Sequence, residues 1–170
     1  MKQTFQRSIQ IQVETEGAQL TSRSVMEDEY HSLELQLQIE LTTHQITECK
    51  TAMRKYPYEL CPSSQAALAA AVGLKLSPVS KKDFRRAVVR EQGCAHFTEL
   101  FDNTVDYLLQ KIYWDGVGFE GVSREEIEDK SFAFLNDSNT CRVFNRETQY
   151  KPRPHEFLPK VKPTEREDAP

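Results

Sequence analysis

The sequence predicts an α+β fold, an antiparallel sheet of three to five strands in the N-terminal half with helices of the C-terminal half packed on one face. Three observations lead there. Leu33, Leu35, Leu37, Ile39 and Leu41 alternate with Ser32, Glu34, Gln36, Gln38 and Glu40, so every apolar side chain of that segment falls on one side of a strand. Ser8 to Glu14 repeats the same two-residue period through Ile9, Ile11 and Val13. From Phe97 the spacing changes: Phe97, Leu100, Phe101, Val105, Leu108, Leu109 and Ile112 recur every three to four residues, as on an amphipathic helix. Strands followed by helices build a sheet covered on a single face.

The elements follow in order. After the first strand, a turn around Gly17 leads to a weaker strand over 19–26, then to the leucine-rich strand. A turn near Thr42 to Gln45 starts a fourth strand, Ile46 to Met53, which Tyr56-Pro57-Tyr58 ends, because proline donates no ladder hydrogen bond. Pro62 suits a first helical turn, and the alanine-rich run Ser63 to Val72 is expected to be a helix stopped by Gly73. Ser80 with Asp83 reads as an N-cap and first-turn acid for a helix over Lys81 to Gln92, ended by Gly93. The last long helix is expected over Ala95 to Tyr113, broken by Asp115-Gly116.

A core domain is therefore expected over 1–115. An extension packed on that core is expected over 116–145, where Ser123 and Glu126 suit a capping box and Phe132, Phe134 and Leu135 suit an apolar contact. The final segment, 146–170, reads as an extended or disordered tail, because five of the eight prolines fall in the last 19 residues.

Composition narrows the function classes. With 22 basic and 26 acidic residues the net charge is −4, and the basic residues form no long stripe, which argues against nucleic acid. The densest cluster, Lys81, Lys82, Arg85, Arg86 and Arg90, reads as a solvated helix face. No apolar run approaches the roughly 18 residues of a membrane span, and MKQTFQRSIQ lacks the apolar stretch of a secretory signal. Four cysteines without dense spacing fit a reducing compartment, so a cytoplasmic protein with free or metal-bound thiols is expected.

Two of those cysteines stand where helices should begin, Cys61 before Pro62 and Cys94 before the run from Ala95. The unsatisfied N–H groups of a helix N-terminus favour negative charge and bias a thiol toward thiolate, the form that binds metal or attacks electrophiles. His96 follows Cys94 by two residues. Side chains two apart on a regular helix diverge by about 200°, so the pair converges only if Cys94 lies just outside the helix. Glu99, one turn on, is placed to orient the His96 imidazole. Cys61, Cys94, His96 and Cys141 together have the composition of a Cys3His site for zinc or an iron–sulfur centre, without a CxxC knuckle. Cys49 lies on a strand and reads as structural, while His31, His44 and His155 have no ligand-like spacing.

Tyr58-Glu59-Leu60-Cys61-Pro62, the segment Gly93-Cys94-Ala95-His96-Phe97-Thr98-Glu99-Leu100 and the leucine-rich strand before them resemble an uncharacterised bacterial family, domain of unknown function 2889. The likeness runs from about Arg7 to Cys141 and implies a residue pattern without a chemistry. A weaker likeness is to NifU-type iron–sulfur cluster scaffold proteins, in which an antiparallel sheet precedes one cysteine opening a helix and a distal cysteine opening a later one. This chain lacks their intermediate cysteine and has His96 after the late one, so that likeness is mainly one of fold.

Three functional readings follow. The first is a thiol site holding a metal ion, cluster or sulfur species without turnover. The second is a nucleophilic Cys94 with His96 as base. In the third, an interaction module, the cysteines are structural and the polar sheet face or the tail meets a protein partner or a second copy. No glycine-rich phosphate loop, HExxH motif or serine elbow occurs.

Overall fold

A computed structural model describes residues 4–77, 80–90 and 93–115. Four antiparallel strands run in sequence order: β1 Ser8–Glu16, β2 Gln19–Glu27, β3 Ser32–Glu40 and β4 Gln45–Lys55. A 3-10 helix Cys61–Ala71 follows, then α1 Ser80–Arg90 and α2 Ala95–Asp115. The expected extension over 116–145, with Cys141, and the tail over 146–170 lie outside the described residues.

The two-residue periods become cross-strand pairs. Leu20 faces Ile39, Met26 faces Leu33, and Ser22 and Ser24 face Leu37 and Leu35, all fully or almost fully buried. Gly17 takes φ +56°, the left-handed value that a two-residue hairpin needs at its first central position. The opposite face is polar, with Glu34 accepting from both Arg23 and Arg54 at 2.8 Å. Helix residues Phe84, Val88, Phe97, Leu100, Phe101, Val105, Leu108 and Ile112 are buried, and the Phe84 and Phe101 rings stack with centroids 3.6 Å apart. Within this core the hydroxyls of Thr104 in α2 and Ser24 in β2 are hydrogen-bonded at 2.7 Å, tying helix to sheet.

The alanine-rich segment differs from expectation. It is 3-10 rather than α-helical and begins one residue before Pro62, with Leu60 at the N-cap. Ser63, Ser64 and Gln65 side chains donate to the carbonyls of Leu60, Cys61 and Pro62, each three residues back, which reinforces the tighter winding. Ser80 also differs. Its hydroxyl turns back to Ser77, accepting from the Ser77 N–H and donating to the Ser77 carbonyl, instead of capping toward Asp83. Among the described residues no helix is long and apolar enough to cross a membrane.

Candidate functional site

Gly93 sets the position of Cys94. Its N–H donates to Val88 O at 2.9 Å, and a Cβ at Gly93 would stand 2.0 Å from Val88 Cγ1 and 2.8 Å from Val88 O. Only glycine permits this close approach between the end of α1 and the start of α2. Cys94 then occupies the N-cap of α2. Its carbonyl accepts the first helical hydrogen bond, from Thr98 N at 3.0 Å, while the helix itself starts at Ala95. Freed from helical geometry, Cys94 Sγ comes within 3.8 Å of His96 Nδ1. Both side chains are half-buried.

The His96 ring packs on His31, with centroids 3.9 Å apart and planes tilted by 37°. His31 belongs to the β2–β3 turn and is fixed by Asp28. Asp28 Oδ1 accepts from the N–H groups of Tyr30 and His31 at 2.8 Å and contacts His31 Nδ1 at 2.9 Å. This is an Asx turn extended by an imidazole. Asp28 Oδ2 accepts from Arg7 Nε at 2.9 Å, and Arg7 Nη1 reaches Glu99 Oε2 at 2.8 Å. Arg7 thus straps the chain before β1 to both the turn and α2.

Burial raises the Asp28 carboxyl, but the amides of Tyr30 and His31, the His31 ring and Arg7 outweigh it and hold the group well below the usual carboxylate range. An ionised Asp28 accepts only, so His31 Nδ1 carries the proton and donates. Burial, then His31 and Arg7, push the His96 imidazole below its ordinary value, against the opposing pull of Asp28 and Glu99. His96 is therefore neutral at pH 7 and able to accept a proton.

Of the residues singled out in the sequence, Cys94 and His96 meet. Glu99 stands beside them, with Arg7 as the partner of its carboxylate. Cys61, half-buried, opens the 3-10 helix six residues after the end of β4, whose last residue, Lys55, donates to Asp28 O at 3.2 Å. Among the described residues, however, no three His, Cys, Asp or Glu side chains are grouped to hold a metal ion, so Cys61, Cys94 and His96 form no such trio. Cys49 faces Leu37 across the ladder, and burial, aided by Glu48, pushes its thiol up to about 11. Its structural reading fits.

Sequence reasoning missed Asp28, His31 and Arg7. The signal was Asp28-Glu29-Tyr30-His31, an Asx-turn pattern that also brings an imidazole back to its own carboxylate.

The loops at this end carry Phe5, Tyr30, Tyr58 and Leu60, all more than half exposed. A groove of about 470 Å³ lies between α1 and α2, with Glu99 in its lining. There Lys81 pairs with Asp106 at 2.6 Å and Arg85 with Asp102, so two members of the basic helix face engage acids of α2.

No curated protein and no solved structure matches the chain, so the likeness to iron–sulfur scaffold proteins has no structural neighbour behind it. Residues 7–110 match the family described as protein of unknown function DUF2889, a span that takes in Arg7, Asp28, His31, Cys61, Gly93, Cys94 and His96. With more than half of its length in that match, the chain belongs to the DUF2889 family.

Proposed function

We propose that the chain acts through Cys94 as a covalent-acceptor thiol, with His96 taking its proton. The observation that carries this reading is the 3.8 Å approach of Cys94 Sγ to the Nδ1 of a neutral imidazole. Apo contacts of this kind are often long and shorten when substrate arrives. The reaction is a thiol–disulfide exchange. His96 Nδ1 removes the Cys94 proton, Sγ attacks one sulfur of a disulfide, the sulfur–sulfur bond breaks, and the departing thiolate takes the proton back from His96. The products are a mixed disulfide on Cys94 and a free thiol. His31, held by Asp28, positions the His96 ring. The exposed apolar side chains of the surrounding loops favour an electrophile with an apolar body.

Treatment with glutathione disulfide at pH 7, read by mass spectrometry, tests this reading. One glutathione on Cys94, strongly reduced in His96→Ala, is the expected result. Equal modification of all accessible cysteines, indifferent to His96, contradicts it.

A second reading, in which the site holds zinc or an iron–sulfur centre, is favoured by one distance. Two ligands of a tetrahedral zinc, at Zn–S about 2.3 Å and Zn–N about 2.0 Å, stand roughly 3.5 Å apart, close to the Cys94–His96 separation of 3.8 Å. Further ligands would come from Cys61, from Cys141 or from outside the chain. Metal analysis of protein purified without oxygen tests it: stoichiometric metal lost in both Cys94→Ser and Cys61→Ser supports this reading over the first.

A further inference from the structure

The two edges of the sheet are built differently. On β4, an isolated bridge between Gln45 and Lys75 covers one end, the pairing with β3 is irregular at two points, and Lys50, Arg54 and Lys55 add charge. Each is a device that discourages another strand from adding. On β1 the charge is confined to Glu14 and Glu16 at one end, and the other two devices do not occur. Its nine residues pair with β2 in unbroken register, with no proline, lysine, arginine or bulge, and among the described residues its other side has no strand. The helix layer also covers it incompletely. Ile9, Ile11 and Val13 point toward the helices yet stay half-exposed, whereas the residues facing them on β2, Met26, Ser24 and Ser22, are fully buried.

Such an edge recognises an extended strand, and the sequence of β1 indicates which one. Laid antiparallel against its own copy with full overlap, Ser8 meets Glu16, Ile9 meets Thr15, Gln10 meets Glu14, Ile11 meets Val13, and Gln12 meets itself. Both carboxylates then oppose neutral polar residues, and no like charges face each other. The half-exposed apolar side chains of the two copies come together on one face. Paired residues of antiparallel strands share a face, so the two-fold axis stands perpendicular to the sheet and both helix layers lie on the same side.

We propose that β1 is a self-pairing edge through which two copies of this chain join, centred on Gln12, into one continuous eight-stranded sheet. A second copy fits this edge because self-pairing sets Glu14 and Glu16 against Gln10 and Ser8, opposes no like charges, and joins the half-exposed Ile9, Ile11 and Val13 of both strands on one face.

The experiment is sedimentation of the full chain over micromolar concentrations, comparing wild type with Gln12→Glu and Gln12→Lys. Gln12 is exposed on the polar face, so far-UV circular dichroism should show both variants folded. Wild type should sediment at twice the 19.7 kDa chain mass. Each variant, placing like charges directly opposite, should raise the dissociation constant by about fivefold. An equimolar mixture of the two variants, which pairs Glu with Lys, should restore the dimer. A wild-type monomer at every concentration overturns the proposal, as does a dimer indifferent to both variants or a mixture that fails to recover.

Discussion

The imidazoles of His31 and His96 lie in ring contact, 3.9 Å between centroids, although 65 positions separate them in the chain. The contact joins a β-turn to the first turn of a helix. It also places His31 where it disfavours the cationic form of His96.

His31→Ala should therefore change the titration of His96 in a defined direction. Burial and the neighbouring His31 and Arg7 hold His96 low. Losing His31 removes one of those neighbours and opens the ring to water, so the His96 midpoint rises toward its ordinary value. Asp28→Asn removes a charge that favours the imidazolium and should not raise it by that route. Side-chain proton or carbon NMR across pH 4–8 reads both.

Arg7→Ala should destabilise the fold by about 1–2 kcal/mol at pH 7, because Asp28, whose side chain is only 5% exposed, loses a charged partner. The pH dependence has a fixed sign. Asp28 has a depressed folded value, so its contribution is present above the ordinary carboxylate value of about 4 and is lost as pH falls below it. Denaturant midpoints measured from pH 7 down to pH 3 should fall less steeply in Arg7→Ala than in wild type.

Gly93→Ala forces a Cβ against Val88 and should cost about 1–3 kcal/mol. If the cause is that contact, Val88→Ala should cost less in the Gly93→Ala background than in wild type. A double-mutant cycle on chemical denaturation measures the difference.

Most of the sheet was legible because period-two alternation survives wherever inward positions are aliphatic. It faded in β2, where Ser22 and Ser24 take two inward places beneath α2. A hydroxyl that finds a partner in the core cannot be told in sequence from one that faces water. The 3-10 winding of Cys61–Ala71 was hidden for a related reason, since it is reinforced by side-chain bonds to carbonyls three residues back rather than by composition. At the site, Cys94 and His96 could be named, but their convergence depended on Cys94 falling one residue outside the helix. His31 has no ligand-like spacing in the sequence, and its meeting with His96 is a tertiary fact.

The two buried serines should respond differently to loss of their hydroxyls. The Ser24 hydroxyl is bonded to that of Thr104 at 2.7 Å, so Ser24→Ala removes a buried hydrogen bond and should cost about 1 kcal/mol. Ser22 Oγ is buried without a partner among the described residues, so Ser22→Ala should be neutral or stabilising. Thermal denaturation of both variants beside wild type checks the contrast.

The most direct measurement is the rate at which each cysteine reacts with iodoacetamide at pH 7, followed by peptide mass spectrometry. Cys94 should react fastest and Cys49, held protonated with a value of about 11, should remain unmodified. His96→Ala should slow Cys94 by about 10²-fold, the low end of what a positioned base supplies, with Cys61 unaffected. A Cys94 that reacts no faster than Cys61, or at the same rate without His96, would contradict a thiol served by that imidazole.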